Sequence, residues 1–159
     1  MLRCLSAAFG LLLPVLAQAA DLQGRVVGIH DGDSITFLAG RLELKVRLAD
    51  IDAPELGQAF GQRSKQSLSD LCFGKPAALA IQGTDRYERT LARVRCAGVD
   101  ANREQIRRGM AWVFDRYVKD RSLYADQSAA QAAARGLWAD PKAMPPWAWR
   151  RAKRNLEVQ

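Results

Sequence analysis

The first half of the chain, after an apolar N-terminus, alternates hydrophobic and polar residues with the period of a β-strand. The clearest case is residues 41–48, where leucines and a valine occupy the even positions and charged residues the odd ones. A period of two predicts a strand with one buried face. Apolar stretches at 24–30 and 34–38, separated by an Asp-Gly turn signal, predict two more strands. Residues 77–82 and 91–96 predict a fourth and a fifth.

Three segments have the composition of helices. Residues 58–71, 102–108 and 122–135 are each followed by a glycine within three positions. Glycine is typical just past a helix C-terminus. We expect residues 145–154, which combine prolines, tryptophans and arginines, to form an irregular, basic tail.

The order of these elements predicts the fold class. Five strands, with a helix between the third and fourth and further helices after the fifth, are typical of the OB-fold, a small Greek-key barrel. We therefore predict an α+β protein with a five-stranded OB-fold barrel and three helices. Such barrels commonly bind oligonucleotides or oligosaccharides, but a fold alone does not specify a function.

The N-terminus predicts an export signal. Arg3 supplies a positive charge, residues 5–16 are uncharged and apolar, and AQA at 17–19 has the small-x-small pattern of a cleavage site. A membrane anchor is the alternative, but a membrane span needs about 20 apolar residues. We predict a signal peptide at 1–19 and a single domain at 20–159, exported to the periplasm or secreted.

Export changes the expectation for the cysteines. Cys4 lies in the predicted signal peptide, so the mature chain keeps Cys72 and Cys96. In an oxidising compartment an even pair favours a disulfide, with two buried thiols as the alternative. His30 is the single histidine and the chain has no CxxC motif, which argues against a zinc site made of Cys and His.

The charge balance favours a polyanionic partner. The formal net charge is +7 and the pI is near 9.8. Such a balance is compatible with nucleic acid, with an anionic membrane surface, or with a basic protein whose charges are simply scattered.

Four short motifs concentrate charged residues at strand ends and loops. They are DGDS at 31–34, RLADIDAPE at 47–55, TDRYERTLARV at 84–94 and PPWAWRR at 145–151. Each alone has an ordinary structural interpretation: a hairpin turn, a charged strand end, a solvated loop, and a tail that packs tryptophans onto the barrel. In this order and spacing, the set resembles the staphylococcal nuclease family over most of the predicted mature chain.

The resemblance implies a calcium site. Asp33 and Asp52 match the two carboxylates that bind calcium in the family, and Ala53 matches the position whose backbone carbonyl joins the calcium shell. Calcium prefers about 6–8 oxygen ligands, so two carboxylates, one carbonyl and several waters suit it. A bound cation polarises the phosphate and holds the attacking water.

The resemblance also implies residues that act on the substrate. Arg47 and Arg89 match the two arginines that bind the phosphate, and Glu55 matches the proposed general base. Tyr87 and Tyr117 match tyrosines that line the nucleotide pocket. Arginine suits this task because its guanidinium forms paired hydrogen bonds with phosphate oxygens, a geometry that lysine lacks.

The activity implied by the resemblance is hydrolysis of phosphodiester bonds in DNA and RNA, with little sequence specificity and 3′-phosphate ends. We expect single-stranded or denatured DNA and RNA as partners, no membrane association after signal removal, and a monomer. The sequence departs from the family pattern at Glu88, where relatives commonly have glycine. If that position needs a positive φ, glutamate costs on the order of 1 kcal/mol.

Two alternatives use the same barrel without catalysis. One is an OB-type module that only binds nucleic acid, and the acidic trio of Asp33, Asp52 and Glu55 argues against it. The other is an exported barrel that binds an oligosaccharide or a protein. That hypothesis accounts for the fold and the signal peptide but not for two arginines beside an acidic cluster.

Overall fold

A computed structural model of the chain describes residues 21–157, and the predicted signal peptide lies outside them. The elements follow one another in a strand-rich first half and a helical second half. The strands are β1 (Leu22–Ile29), β2 (Ser34–Ala39), β3 (Leu42–Leu48), β4 (Ile51–Asp52), β5 (Pro76–Thr84), β6 (Thr90–Cys96), β7 (Val99–Asp100) and β8 (Trp112–Val113). The helices are α1 (Gly61–Cys72), α2 (Ala101–Arg107), α3 (Leu123–Ala132), a short 3₁₀ helix (Gly136–Ala139) and α4 (Pro146–Glu157).

Five strands close into a barrel. They are hydrogen-bonded in the order β3-β2-β1-β5-β6, and parallel pairing of β3 with β6 joins the two ends. Closure leaves no long barrel edge exposed, which is how small β proteins avoid unpaired backbone groups. The short strand β7 pairs antiparallel with the end of β6, and β4 pairs separately with β8. The predicted OB-fold class is confirmed.

The barrel interior is filled by the alternating positions that the sequence predicts. Val46 and Leu48 of β3 are fully buried, whereas Leu42, at the strand's outer end, is exposed. Arg47 is an exception to the alternation because its guanidinium is buried together with acidic partners. The remaining core side chains come mainly from the other barrel strands and the first three helices.

The predicted tail is a helix, so the expectation of three helices and an irregular segment at 145–154 is wrong. The physical reason lies at its start, where Pro146 occupies the first helical position. Proline is tolerated there because the first backbone N–H groups of a helix need no intrahelical acceptor. The carbonyl of Pro145 accepts from the amides of Ala148 and Trp149, which begins the helical turn.

The predicted disulfide between Cys72 and Cys96 is present. It joins the end of α1 to the end of β6, and both cysteines are buried. It thus ties the helix that follows the acidic loop to the barrel wall. Among residues 21–157, no helix is long and apolar enough to cross a membrane.

Candidate active site

The hairpin of β2 and β3 brings the first two predicted site residues together. The strands are antiparallel, with Ser34 opposite Arg47, so Asp33 lies beside the end of β3. Arg47 Nη1 is 2.9 Å from Asp33 Oδ2, and Arg47 Nη2 is 2.8 Å from Asp52 Oδ1. One guanidinium therefore holds both carboxylates that the resemblance assigns to the cation.

Arg47 is itself fixed in place by backbone acceptors. Its Nη1 also donates to the carbonyls of Leu48 and Ile51, at 3.1 and 3.0 Å. The loop that carries these carbonyls turns at Asp50, which has a positive φ of 69°. Asp50 faces away from Arg47, because its carboxylate accepts from the amide of Lys119 at 2.7 Å. Of the two acids in the Asp-Ile-Asp segment, one is thus structural and Asp52 belongs to the site.

The turn before β2 is braced from three sides. Asp31 accepts from the Asp33 amide and the Ser34 hydroxyl. Gln105 of α2 donates to the carbonyl of Gly32 at 2.7 Å. A Cβ on Gly32 would lie 1.8 Å from the Ser64 hydroxyl oxygen, so only glycine fits between the turn and α1. This packing holds Asp33 in a defined position.

Asp33 is buried, and its neighbours offset only part of the cost of burying its charge. Its Oδ2 accepts from the backbone amide of Ala53 at 2.6 Å, which places the Ala53 backbone against the carboxylate. Burial raises the pKa of Asp33 to about 8, although Arg47 acts in the opposite direction. A buried carboxyl whose charge is only partly neutralised is a favourable place for a cation.

Glu55 reaches the same group through an arginine that the sequence analysis did not identify. Arg150 of α4 donates through Nη1 to Glu55 Oε1 at 2.6 Å and through Nη2 to Asp52 Oδ2 at 2.7 Å. Burial acts to lower the pKa of Arg150, but its hydrogen bonds with Asp52 and Glu55 outweigh this and raise it. Asp33, Arg47, Asp52 and Glu55 therefore form one continuous chain of ion pairs with Arg150.

Arg89 lies beside the site rather than within this chain. It pairs with Asp85, with Nη2 to Oδ2 at 2.8 Å, and its Nη1 is 3.4 Å from the Ser34 hydroxyl. The Ser34 hydroxyl also donates to Asp33, so Ser34 lies between Arg89 and the Asp33 carboxylate. Desolvation acts to raise the pKa of Asp85, but hydrogen bonds from the Arg89 backbone and side chain outweigh it and lower that pKa.

Glu88 occupies a left-handed backbone conformation, with φ of 62°. The resemblance placed a glycine at this position, and the structure shows why glycine suits it. The turn survives because Asp85 accepts from the amides of Tyr87 and Arg89. Glu88 therefore strains the loop that carries Arg89 without displacing it from Asp85.

The two predicted tyrosines lie on the surface at separate places. Tyr87 is exposed, and the guanidinium of Arg89 lies 5.6 Å from its ring centroid. Tyr117 is exposed and packs edge-on against Phe114 at 4.9 Å between ring centroids. Within residues 21–157, neither phenol is hydrogen-bonded to Asp33, Asp52 or Glu55, and the hydroxyl of Tyr87 accepts from Arg86. Tyr87 is thus linked to the site through Arg89.

An aromatic cluster fixes the helix that carries Arg150. The ring of Trp147 stacks on Phe114 with centroids 5.5 Å apart and meets Trp112 edge-on at 6.0 Å. Gln58 adds a hydrogen bond to the carbonyl of Met144 at 2.7 Å, just before the helix. These contacts pack Trp147 against β8 and the residue that follows it, outside the five-stranded barrel, and they place α4 over the acidic loop.

This site offers two carboxylates, those of Asp33 and Asp52, to a hard cation. Between residues 21 and 157, no group of three or more His, Cys, Asp or Glu side chains is arranged to hold a metal ion. A cation here would bind Asp33 and Asp52, which share one guanidinium and are both nearly inaccessible to solvent. Carbonyl, water and substrate oxygens would complete its shell, an arrangement that calcium accepts.

Comparison with known proteins decides the family. A family model described as staphylococcal nuclease homologue matches residues 45–140. The chain belongs to the staphylococcal nuclease family. A micrococcal nuclease of Shigella flexneri is 43% identical over 165 aligned residues, which cover 97% of this chain and 94% of that protein. An uncharacterized endonuclease of Haemophilus influenzae is 49% identical over 131 residues, covering 82% of this chain and 74% of that protein.

Membership of the staphylococcal nuclease family confirms the resemblance and the expectation of a phosphodiester-cleaving hydrolase. A further relative, the protein ParB of Escherichia coli, is 37% identical over 166 residues, covering 98% of this chain and 93% of that protein. These matches extend well past residue 140 in this chain, so α4 belongs to the region that the relatives share.

Sequence reasoning missed two residues of this site. Arg150 had a signal, because it sits in the PPWAWRR motif, but the motif gave no indication of what it would contact. Gln105 had none, because a polar residue in a short helix is ordinarily solvated. In the structure Gln105 is fully buried and braces the turn before Asp33.

Proposed function

We propose that the protein is an exported, calcium-dependent endonuclease that hydrolyses single-stranded or denatured DNA and RNA with little sequence specificity. The observation that carries this proposal is the bridge of Arg47 between Asp33 and Asp52. Two buried carboxylates and a guanidinium at one place provide opposite charges for a cation and for a phosphate. Burying three charged side chains is costly, and neither a cation alone nor a phosphate alone would offset that cost.

Asp33 and Asp52 are the protein ligands for the cation in this proposal. They come from two chain segments that the β2–β3 hairpin brings side by side. Bound calcium would lower the repulsion between the phosphodiester and the attacking water. Arg47 keeps the two carboxylates oriented by donating to Asp52 and by forming an ion pair with Asp33.

Arg47 and Arg89 are the proposed phosphate-binding residues. In-line attack on a phosphodiester builds negative charge on the non-bridging oxygens, and guanidinium groups stabilise that charge with paired hydrogen bonds. Arg47 already lies at the carboxylates. Arg89 has one Nη near Ser34, so a modest rotation away from Asp85 brings it to a phosphate seated beside Asp33.

Glu55 is the proposed general base. Its carboxylate is partly exposed and its backbone precedes α1, so it faces solvent on one side and Asp52 on the other through Arg150. Transfer of a proton from water to a positioned carboxylate contributes typically about 10²–10⁴ to a rate. Cleavage of the P–O5′ bond would leave 3′-phosphate ends.

The substrate class follows from charge and shape. The chain carries a net charge of +7, which supports binding to a phosphate backbone without sequence preference. Tyr87 and Tyr117 are exposed rings on which unpaired bases can stack. A site that needs in-line access to one phosphate is more easily reached by an unpaired strand. The protein would act as a monomer.

Export is supported by two independent features. The first 19 residues have the pattern of a signal peptide, and Cys72 is bonded to Cys96. Disulfides persist in oxidising compartments and are rare in the cytosol. The proposed location is the periplasm or the extracellular space.

A cleavage assay on a labelled single-stranded DNA tests the proposal. Activity should require calcium and be lost in EGTA. Glu55→Gln should lower kcat by about 10²-fold or more, because it removes a general base. Glu43→Gln is the matched control, since Glu43 is an exposed carboxylate on β3, and it should leave kcat unchanged.

The products provide a second readout. Fragments with 3′-phosphate ends should not prime a polymerase until they are treated with a phosphatase. Activity that persists in EGTA would refute the calcium mechanism. No cleavage under any condition, together with retained binding of the DNA, would favour the non-catalytic module.

A further inference from the structure

Arg150 occupies the carboxylates that the proposed mechanism needs. Its guanidinium donates to Asp52 Oδ2 at 2.7 Å, to Asp52 Oδ1 at 3.3 Å and to Glu55 Oε1 at 2.6 Å. Asp52 Oδ1 also accepts from Arg47 at 2.8 Å. Both oxygens of Asp52 are therefore engaged, and so is one oxygen of Glu55.

A cation that binds Asp52 would compete with the two arginines for its oxygens, and the attachments of the two arginines differ. Arg47 is in the barrel wall, is buried, donates to two backbone carbonyls and to Asp52, and forms an ion pair with Asp33. Arg150 lies on α4, its side chain is 34% exposed, and among residues 21–157 its hydrogen-bond partners are Asp52 and Glu55 alone. Arg150 is the partner that can leave at lower cost.

The backbone of α4 keeps the released side chain close. Trp147, three residues before Arg150, is packed against Phe114 and Trp112. A Cβ on Gly57 would lie 3.9 Å from the ring of Trp149, which places this neighbour of Arg150 against the acidic loop. The helix can therefore stay seated while one flexible arginine side chain changes partner.

We propose that Arg150 is a third phosphate-binding arginine of this nuclease: its guanidinium, which pairs with Asp52 and Glu55, would move to the substrate phosphate when Asp52 serves as a cation ligand. This inference rests on the proposed function. The transfer frees Glu55 to accept a proton at the moment when substrate is present. It also leaves the buried Asp52 paired with a positive charge in both states, which avoids an unpaired charge at any step.

The substitution Arg150→Ala should have opposite effects on calcium affinity and on substrate affinity. Arg150→Ala should bind calcium more tightly than the wild type, because a competitor for Asp52 is gone. The same variant should bind substrate less tightly in calcium, because a phosphate contact is gone. A merely structural role would weaken both.

Calorimetric titration with calcium and no nucleic acid measures the first effect. We expect Arg150→Ala to gain about tenfold in affinity, the size of an ordinary coupling between two ligands. Fluorescence anisotropy then measures the second effect, with a DNA oligonucleotide whose phosphonate (P–CH₂) linkages keep the charge and resist hydrolysis. In saturating calcium, Arg150→Ala should lose about tenfold in affinity, the worth of one charge-assisted pair of hydrogen bonds.

Arg151→Ala is the matched control. Arg151 follows on the same helix and is exposed, so it shares the charge and the helix position but has no hydrogen bond to the carboxylates within the described chain. It should leave calcium affinity unchanged and cost less than the Arg150 variant in DNA affinity. Arg150→Gln, which preserves more of the side chain, repeats the test if the alanine variant does not fold.

The outcomes separate the inference from the function on which it rests. Unchanged or weaker calcium binding by both Arg150 variants would overturn the exchange. Equal losses of DNA affinity in the Arg150 and Arg151 variants would overturn the phosphate contact. A wild-type protein that binds no calcium would defeat the calcium-dependent function itself, and the inference with it.

Discussion

Gly61 lies directly against the backbone of Glu55, so closely that a Cβ on Gly61 would be 1.9 Å from the Glu55 carbonyl oxygen. The first turn of α1 thereby supports the loop that presents the proposed general base. The contact is with backbone, which cannot rotate away as a side chain could. Gly61→Ala must move the Glu55 loop, the helix start, or both.

We expect Gly61→Ala to destabilise the fold by about 1–3 kcal/mol, the usual cost of overpacking. Displacement of a catalytic group by an ångström can cost about 10²-fold in rate, so kcat should fall more than stability alone explains. Gly57→Ala provides the comparison, because its nearest neighbour atoms would be 3.9 Å away. Equal kcat values in the two variants would contradict the supporting role of Gly61.

Glu88→Gly should stabilise the protein. Glu88 has a φ of 62°, a conformation that costs a residue with a Cβ on the order of 1 kcal/mol relative to glycine. The midpoint of urea unfolding should rise accordingly, and nuclease activity should be preserved or raised. Glu88→Ala removes the same charge but keeps the strain, so it should show no such rise. A large loss of activity in Glu88→Gly would mean that the carboxylate itself is required.

Calcium affinity should depend on pH through Asp33. Burial raises the pKa of this carboxyl to about 8, so its neutral form persists up to that pH and must lose a proton before it binds a cation. Affinity should rise by about tenfold per pH unit up to pH 8 and level off above it. Calorimetry in two buffers of different ionisation enthalpy should show proton release at pH 7. Asp33→Asn should abolish the slope, and a flat profile in the wild type would contradict the assignment.

Reduction of the disulfide should lower the free energy of unfolding by roughly 3 kcal/mol, because the bond closes a loop of 24 positions in the unfolded chain. Urea unfolding of the oxidised and the reduced protein measures the difference. An unchanged midpoint would show that the buried packing of the two cysteines, and not the bond, stabilises this region.

The parts of the site that could be predicted from sequence are those whose geometry is local. Arg47 and Asp52 are five positions apart, on a strand end and the turn that follows it. Asp33 joins them through a single antiparallel hairpin, whose strands could be predicted from the sequence pattern, whereas the roles of the three residues came from the resemblance. The barrel was predictable for a similar reason, because β3 has a clear period of two and the other strands are short apolar stretches, two of them separated by a turn signal.

Contacts between distant segments could not be predicted in this way. Arg150 and Asp52 are separated by 98 positions, and their pairing depends on how Trp147 docks on Phe114. The helix itself was missed because a segment of prolines, tryptophans and arginines was interpreted as an irregular tail, whereas Pro146 begins a helix. Arg89 was predicted only in part. Its position near the site was expected, but its ion pair with Asp85 was not.

A crystal of the protein grown with calcium and the phosphonate-linked oligonucleotide would show whether Asp33 and Asp52 bind the cation. The anomalous signal of calcium at long wavelength locates the ion. We predict a calcium peak in the anomalous map at about 2.3–2.6 Å from carboxylate oxygens of both Asp33 and Asp52, with Arg47 on the phosphate side. A peak bound elsewhere, in a protein whose cleavage requires calcium, would contradict it.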